Sequence, residues 1–428
     1  MNPSVYALVD CNNFYASCET LFRPDLRNTP VVVLSNNDGC VVARSAEAKA
    51  LGIKMGVPVH HIQPQIRRYG ITVFSSNYSL YGDISRRVMT TLEALAPEVD
   101  VYSIDEAFLD LTGIDRVMTF EDFGRQVKST VLQNVGLPVC VGIAPTRTLA
   151  KLANYAAKKF PATGGVVDLT EPVRQRRLMA QVPVDEVWGV GRKLSAKLSD
   201  MGIETALALA GSDLATLRKQ FSVVLERTAR ELNGIACLPW ENVPSPKQQI
   251  MCSRSFGQPI RALADLEEAV VNYAARASEK LRAGGQYAGE LMVFVRTNPF
   301  KAQSPQYSKS ASIRFIMATR DSRVIAQQAV ALLRSLYRKN FDYAKAGVIL
   351  SDLVDAVGLQ EDLFDTGGYA TAGEGRSERL MAVMDEINRK SRATVCMARQ
   401  TGKGRYGMRR KHLSPRYTTD WSQLPKVD

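Results

Sequence analysis

A proline-rich stretch just past the middle of the chain, Val243-Pro244-Ser245-Pro246, divides the sequence into two parts. Each proline fixes its own φ angle and favours an extended conformation at the residue before it, so this stretch predicts a short, stiff linker. The chain of 428 residues has room for about two to four domains. We therefore expect several separately packed domains rather than one continuous core.

The part that follows the linker alternates between strand-like and helix-like patterns. Strands are indicated near 249–256, 291–296, 311–317 and 346–353, and amphipathic helices near 266–281 and 325–336. This βαββαβ order is typical of a ferredoxin-like sandwich. After it, the composition predicts a partly disordered tail with one helical stretch near 379–387.

The part before the linker predicts a mixed α+β region and then a helical one. Val31-Val32-Val33-Leu34, the turn residues Asn36-Asn37-Asp38-Gly39 and Val41-Val42 together predict a β-hairpin. Two further strands are expected over 99–104 and 107–111. Between about 173 and 238 the pattern is helical throughout, which predicts a small α domain.

The charge of the chain favours a polyanionic partner. There are 55 Lys and Arg residues against 43 Asp and Glu residues, a formal net charge of +12, and such an excess attracts nucleic acid over long range. No apolar run reaches the ~18 residues of a membrane span. The N-terminal residues lack the pattern of a signal peptide, so a cytoplasmic protein is expected.

The cysteines and histidines do not form a recognisable zinc site. The seven cysteines include no CxxC pair, and the three histidines have no metal-ligand spacing. Scattered thiols in odd number are typical of a reduced, intracellular protein. Any metal ion is therefore predicted to use oxygen ligands.

Two acidic features stand at the ends of predicted strands. Asp10 ends the first strand, and Asp105-Glu106 lies between the strands over 99–104 and 107–111. Successive residues of a regular strand face opposite sides, so Asp105 and Glu106 can serve one site only if the chain turns there. Three carboxylates at one sheet rim repel each other unless divalent cations neutralise them, which is the arrangement of Mg²⁺-dependent phosphate chemistry. The alternative is that these acids simply cap strand ends.

The residues around these acids favour the first interpretation. The stretches Asp10-Cys11-Asn12-Asn13-Phe14-Tyr15 and Ser103-Ile104-Asp105-Glu106-Ala107-Phe108 resemble the Y-family translesion DNA polymerases. The resemblance continues through Val187-Trp188-Gly189-Val190-Gly191 to Leu413-Ser414-Pro415-Arg416-Tyr417. It covers essentially the whole chain and implies a multi-domain right-hand polymerase of the α+β class.

The resemblance also implies how the domains divide. The expected domains are a ferredoxin-like palm over 1–20 and 76–172, small fingers over 21–75, a helical thumb with a helix-hairpin-helix over 173–240, a ferredoxin-like little finger over 247–357 and a C-terminal tail over 358–428.

Carried over position by position, the resemblance assigns the catalytic residues. Asp10, Asp105 and Glu106 become the ligands of two Mg²⁺ ions, together with the backbone carbonyl of Cys11, and the nucleophile is the primer 3′-hydroxyl. The further positions it implies around the incoming nucleotide are Asn13, Phe14, Tyr15, Lys49 and Lys158. Tyr15 would be the steric gate against a 2′-hydroxyl, although a Phe-Tyr pair after a strand also fits core packing. The sequence departs from many family members in having Ala46 and Lys49 where they carry Tyr and Arg.

Candidate DNA contacts lie in both parts of the chain. Gly189, Gly191, Arg192 and Lys193 fit a helix-hairpin-helix turn whose backbone N–H groups bind a DNA phosphate without reading sequence. In the predicted little finger the candidates are Arg254, Arg296 and Arg314, with Lys301 and Lys309 nearby. Each of these side chains could equally be a solvated surface charge.

The stretch Gln360-Glu361-Asp362-Leu363-Phe364 is similar to the peptide by which bacterial polymerases dock on the sliding clamp, with Gln360, Leu363 and Phe364 as contacts. The resemblance further implies a UmuD-type processed subunit and RecA as partners. The basic stretch 399–417 fits either DNA contact or a solvated tail.

The predicted function is template-directed, error-prone translesion DNA synthesis from deoxynucleotides in SOS mutagenesis and DNA repair. Two alternatives stay open at this point. One is a noncatalytic DNA-binding adaptor whose acids are structural, and the other is a different phosphoryl-transfer enzyme on a similar palm, such as a nucleotide cyclase.

Overall fold

The computed structural model describes residues 4–240, 246–301, 303–355, 370–390, 395–400 and 407–424, with the backbone alone over 370–374. The chain divides into two compact units. The first comprises Met1–Ser35, Gly39–Pro244 and His412–Asp428, and the second comprises Asn36–Asp38 and Ser245–Lys411. Within the described ranges, no helix is both long enough and apolar enough to cross a bilayer.

The first unit contains eight strands and eleven α-helices among its described residues. The strands are β1 Tyr6–Cys11, β2 Val31–Leu34, β3 Val41–Arg44, β4 Thr72–Ser75, β5 Glu98–Val101, β6 Glu106–Asp110, β7 Val139–Ala144 and β8 Val166–Asp168. The helices are α1 Phe14–Leu21, α2 Ala46–Ala50, α3 Gln63–Tyr69, α4 Tyr78–Glu93, α5 Phe120–Val135, α6 Arg147–Lys159, α7 Pro172–Met179, α8 Arg192–Asp200, α9 Ala206–Ala210, α10 Leu214–Gln220 and α11 Val223–Leu232.

The central element of the first unit is a five-stranded sheet in the order β5-β6-β1-β7-β8. All six residues of β1 are buried because both faces of this sheet are covered. Ala7 and Val9 pack into one core with residues of α4 and α5, whereas Leu8 packs into a second core with residues of α6 and the helices that follow it. Side chains of alternate parity along β1 therefore belong to different cores.

Helix α6 lies unusually close to this sheet. At Gly142 on β7, an added Cβ would collide with the backbone of α6 at Ala150 and Asn154. The Asn154 side-chain amide then donates to the carbonyl oxygens of Leu8 at 3.2 Å and Cys140 at 2.8 Å. These contacts fix α6 over β7 and over β1, the strand that carries Asp10.

The predicted hairpin is present. Strands β2 and β3 pair antiparallel, and β4 joins β2 in parallel to give a three-stranded sheet in the order β3-β2-β4. The stretch predicted as a small α domain contains α7 to α11 and no strand. Its buried side chains share a core with Leu8 and Phe108 of the five-stranded sheet.

The second unit has the predicted βαββαβ order. Its elements are β9 Ile250–Ile260, α12 Leu263–Ala283, β10 Gln286–Thr297, β11 Ser308–Thr319, α13 Ser322–Leu336, β12 Tyr343–Asp355 and the additional helix α14 Ala370–Lys390. The sheet is antiparallel in the order β11-β10-β12-β9. Helices α12 and α13 cover one face, where residues such as Leu291 and Val293 are fully buried.

Part of the predicted C-terminal tail is ordered, since its described residues near the C-terminus pack against other elements of the first unit. The backbone of His412 exchanges two hydrogen bonds with Ser75, and the ring of Tyr417 stacks on Phe22 at 4.6 Å. Helix α14 is also longer than the predicted stretch 379–387, and Asp385 on it pairs with Arg282 at 2.6 Å. These segments are held by individual side-chain contacts, which leave little hydrophobic periodicity in the sequence.

Candidate active site

Two carboxylates lie side by side at one rim of the five-stranded sheet. Asp10 on β1 is opposite Glu106 on β6 in the antiparallel register, and their side chains are hydrogen-bonded to each other. Asp10 has the same parity as Leu8, whose side chain belongs to the core formed with α6. Both carboxylates therefore lie on the face that α6 covers.

A turn brings Asp105 to the same rim. The Ser103 hydroxyl donates to the Asp105 carboxylate at 2.7 Å and accepts from the backbone N–H of Glu106 at 3.1 Å. The Asp105 carbonyl oxygen accepts from the backbone N–H of Cys11 at 2.9 Å, so this turn abuts the end of β1. The turn supplies the departure from strand geometry that two consecutive acids need if they are to serve one site.

Two lysines of α6 neutralise the paired carboxylates. The Lys158 Nζ lies 2.5 Å from an Asp10 oxygen, and the Lys151 Nζ lies 2.6 Å from a Glu106 oxygen. Lys151 also lies over the rings of Tyr102 at 4.4 Å and Trp188 at 5.0 Å, where cation–π attraction holds it. Sequence analysis did not assign Lys151 to the site. The available signal was its seven-residue spacing from Lys158, which places both on one flank of a helix.

Burial and the lysines act in opposite directions on the two acids. Burial raises the pKa of Asp10 to about 7, although Lys158 opposes the shift. Burial alone would also raise the pKa of Glu106, but hydrogen bonds from Lys151 and Asp10 hold it below its ordinary value. A proton held by this pair is therefore held mainly by Asp10, and Glu106 keeps its charge.

The donor atoms at this rim suit a hard divalent cation. Among the described residues, no three Cys, His, Asp or Glu side chains converge closely enough to bind a metal ion as they stand. The carboxylate oxygens of Asp10 and Glu106 are adjacent, however, and the raised pKa of Asp10 marks a buried negative charge that more positive charge would stabilise. Burial, and then the charge of Asp10, raise the pKa of the Cys11 thiol. A protonated thiol is a poor metal ligand, so the donor atoms available at this rim are oxygens.

The Asn13–Tyr15 turn follows β1 directly. Asn13 has a left-handed conformation, with φ +52°, at the N-terminus of α1. The side chain of Phe14 is buried in the core, so only its backbone is available to a ligand. The Tyr15 ring is partly exposed and stacks on Tyr81, with the ring centroids 4.3 Å apart.

Lys49 lies on α2 and close to the Asp10–Lys158 pair. Its pKa is lowered by burial and by the nearby positive charges of Arg44 and Lys158, against the opposing effect of Asp10. The side chain of Arg44, which sequence analysis did not single out, donates to the carbonyl oxygen of Ile53. Lys158 and Lys49 thus lie near one buried acid, and Arg44 lies near Lys49.

The predicted helix-hairpin-helix turn has the expected local geometry. Gly189 has φ +90°, a conformation that favours glycine. Gly191 is the N-cap of α8, and the side chains of Arg192 and Lys193 in its first turn are exposed. The backbone N–H groups of that turn point away from the helix and can donate hydrogen bonds to a phosphate oxygen.

The three predicted arginine contacts of the second unit do not share one face of its sheet. Arg296 on β10 and Arg314 on β11 lie on the face opposite α12 and α13, which we call the open face. Lys345 on β12 is directly opposite Arg296 and was not singled out from the sequence. Arg254 on the edge strand β9 is instead opposite the buried Ala346, in register with the helix-covered face.

The predicted clamp peptide, with Gln360, Leu363 and Phe364, lies outside the described residues.

Solved structures with the same fold are DNA polymerases. A Y-family DNA polymerase chimera of Dbh and Dpo4 matches with a TM-score of 0.66 at 21% identity, over 82% of this chain and 99% of that one. DinB from Sulfolobus solfataricus matches with a TM-score of 0.51 at 22% identity, over the same shares of the two chains.

Family models match most of the chain. Residues 9–155 match the impB/mucB/samB family, 172–203 the IMS family HHH motif, 247–363 the C-terminal domain of the impB/mucB/samB family, and 378–427 a domain of unknown function.

Curated relatives cover nearly all of the chain. UmuC of Salmonella typhimurium is 51% identical over 99% of this chain and 100% of its own length. MucB of Escherichia coli is 50% identical over 98% of this chain and 99% of its own length. DNA polymerase IV of Moorella thermoacetica is 30% identical over 83% of this chain and 88% of its own length.

The fold, with acids at the rim of its central sheet, is that of the Y-family DNA polymerases, as predicted. More narrowly, the chain belongs to the impB/mucB/samB family, whose members similar to it include UmuC.

Proposed function

We propose that the rim formed by Asp10, Asp105 and Glu106 is the nucleotidyl-transfer site of this chain. The observation that carries the proposal is the cross-strand pairing of Asp10 with Glu106 under two lysines of one helix, Lys158 and Lys151. Acids that merely cap strand ends have no need of this burial or of these partners.

Family membership confirms the predicted class, a DNA-directed DNA polymerase of the error-prone translesion type, which acts in SOS mutagenesis and DNA repair. It disfavours the noncatalytic adaptor. Primer–template DNA and deoxynucleoside triphosphates are accordingly its substrates, and the family uses a divalent metal ion.

We infer that the ions are two Mg²⁺, held by the three carboxylates and the Cys11 carbonyl oxygen. When bound, such ions lower the pKa of the primer 3′-hydroxyl and stabilise the charge of the leaving pyrophosphate. Lys158 and Lys49 bind triphosphate oxygens, because both lie beside the acids and carry more positive charge than Asp10 alone neutralises. Being lysines, they act as point charges rather than as bidentate forks.

Tyr15 is the proposed steric gate. Its ring stacks on the fully buried Tyr81 and meets Tyr78 edge to face, so it has neighbours on two sides. A ring held in this way leaves no room for a ribose 2′-hydroxyl and excludes ribonucleotides by contact rather than by hydrogen bonding.

The DNA contacts proposed for the rest of the chain are to the phosphate backbone. They comprise the N-terminus of α8 with Arg192 and Lys193, and the open face with Arg296 and Arg314. The sliding clamp, through Gln360, Leu363 and Phe364, and a UmuD-type subunit and RecA are proposed partners, and the cytoplasm is the proposed location.

The experiment is primer extension on damaged and undamaged templates, with the partner proteins supplied. Asp105→Ala should abolish extension, whereas the matched control Asp110→Ala should not. Asp110 lies on the same strand as Glu106 but at its other end, where it accepts a hydrogen bond from Thr112. Undiminished extension by Asp105→Ala would refute the site. Incorporation that ignored the template base would refute templated synthesis.

A further inference from the structure

The C-terminal segment, residues 412–418, packs against the start of helix α4. The Asn77 side chain accepts a hydrogen bond from the backbone N–H of Leu80 and so caps this helix. The same amide donates to the Ser414 hydroxyl at 2.9 Å and to the carbonyl oxygens of Ser414 and Pro415 at 3.2 and 3.1 Å. One side chain thus ties the beginning of α4 to the C-terminal segment.

A buried acid continues this connection towards Tyr15. Glu19 on α1 is fully buried and accepts a hydrogen bond from the Tyr81 hydroxyl at 2.6 Å, and the Ser414 side chain lies close enough to lower its pKa against the effect of burial. The Tyr81 ring, one turn into α4, lies flat against Tyr15 with an interplanar angle of 16°. The contacts therefore run without a gap from Ser414 through Glu19 and Tyr81 to Tyr15.

The C-terminal segment also holds the other helix of this stacked pair. Tyr417 is buried and stacks on Phe22, the residue that follows α1, with an interplanar angle of 15°. Tyr15 lies at the beginning of α1, and Tyr81 lies near the beginning of α4. The segment thus contacts both of the helices whose separation decides where the Tyr15 ring stands.

We propose that the C-terminal segment is a positioning element for Tyr15, acting through Ser414, Glu19 and Tyr81. This rests on the proposed role of Tyr15 as the steric gate. Tyr81 and Ser414 are then positioning residues for sugar selection, far apart in sequence and not in contact with the nucleotide.

The physical reason is that steric exclusion depends on where a ring is held. A ring that can retreat by a fraction of an ångström admits one more hydroxyl group, whereas addition of a deoxynucleotide does not depend on that space. The Tyr81 hydroxyl, with its acceptor Glu19, is buried in the core, so this hydrogen bond has no competition from water. Loss of the bond frees the Tyr81 ring to shift with Tyr15.

The test compares ribonucleotide with deoxynucleotide incorporation by the full chain on an undamaged primer–template. Tyr81→Phe keeps the ring and removes the hydrogen bond to Glu19, and Ser414→Ala removes the other partner of the acid. Each should raise the ratio of ribonucleotide to deoxynucleotide kcat/KM about fivefold, the equivalent of one hydrogen bond, with little change for the deoxynucleotide. Glu19→Gln, which still offers Tyr81 an acceptor, should largely retain the wild-type ratio.

The matched control is Tyr343→Phe. Tyr343 is also a fully buried tyrosine, but it is in the second unit and exchanges hydrogen bonds with the backbone of Arg338. Tyr343→Phe should leave the ratio of ribonucleotide to deoxynucleotide kcat/KM unchanged, while it destabilises the protein about as much as Tyr81→Phe does. Tyr15→Ala tests the gate itself. If it does not raise the ratio, the proposed role of Tyr15 fails.

If Tyr15→Ala raises the ratio but neither Tyr81→Phe nor Ser414→Ala does, the positioning role is refuted while the gate stands. A rise for only one of the two would refute the link between the C-terminal segment and Tyr81.

Discussion

The two large sheets of the molecule carry charge in opposite ways. The five-stranded sheet of the first unit is covered on both faces, and its proposed catalytic groups are acids gathered at a rim, where Asp10 is buried. Among the described residues of the second unit, helices cover one face of the four-stranded sheet, and the open face carries the exposed cations Arg296 and Arg314. The first arrangement concentrates charge at a point, and the second spreads it over a surface.

This difference predicts different sizes of effect. A buried charge interacts in a medium of low polarity, so removing its partner changes its pKa and its chemistry strongly. An exposed arginine in a phosphate-binding surface contributes a modest part of a screened, additive attraction. Single substitutions should therefore be severe at the rim of the first sheet and mild on the open face of the second.

Among substitutions outside the three proposed metal ligands, the largest effect is expected for Lys158→Met, which keeps the length of the side chain and removes its charge. Without Lys158, the pKa of Asp10 should rise further above about 7, because burial then acts with less opposition. At neutral pH, kcat/KM for primer extension should fall roughly 10- to 100-fold, the loss of a charge-assisted contact. Activity should recover in part as the pH rises and Asp10 ionises.

The matched control is Lys159→Met on the same helix. Lys159 is exposed and donates to the Tyr155 hydroxyl at 2.6 Å, away from the acids. A pH profile for Lys158→Met that is parallel to the wild-type profile would contradict the assigned role of Lys158.

The next effect concerns stability and pH in the first unit. Burial raises the pKa of Glu19 to about 7 from an ordinary value of 4.5, against the hydrogen bonds of Tyr81 and Ser414. Because the folded state holds this proton more tightly, Glu19 contributes stability that is complete below pH 4.5 and is lost as the pH rises through about 7. The loss is on the order of 3 kcal/mol.

Urea unfolding of the wild type and of Glu19→Gln across this pH range isolates that contribution, because other acids titrate equally in both proteins. The difference in unfolding free energy should shift in favour of Glu19→Gln as the pH rises. Glu121→Gln, at an exposed position paired with Arg125, should show no such shift. If the difference in unfolding free energy between the wild type and Glu19→Gln does not change with pH, the pKa of Glu19 is not raised in the folded state.

Sequence patterns predicted the second unit better than the rim of the first. The βαββαβ order follows from hydrophobic periodicity, which each element displays locally. The pairing of Lys151 with Glu106 instead depends on how α6 packs over β6, which requires the close approach at Gly142. No local pattern encodes that approach, so sequence alone could indicate two lysines on one flank but not their partners.

The C-terminal segment shows the same limit. Ser414 and Tyr417 make specific buried contacts, yet the basic, glycine-containing sequence around them is typical of a tail. The separation of Arg254 from Arg296 on the two faces has another origin. Arg254 lies two residues after the buried Cys252 on β9, so both side chains face the covered side of the sheet. This alternation along the strand could have been predicted from the sequence.

The smallest effects are expected on the open face. Arg296→Ala and Arg314→Ala should each weaken binding of primer–template DNA a few-fold, irrespective of sequence, and each should reduce the slope of log affinity against log salt by about 1. Arg254→Ala is the matched comparison, since it removes an exposed arginine from the same sheet but with the register of the helix-covered face. Fluorescence anisotropy over a salt series measures all three. If the slope of log affinity against log salt is equal for Arg254→Ala and Arg296→Ala, net charge, and not the open face, governs DNA binding. The comparison between the two sheets would then be supported only by the buried acids of the first unit.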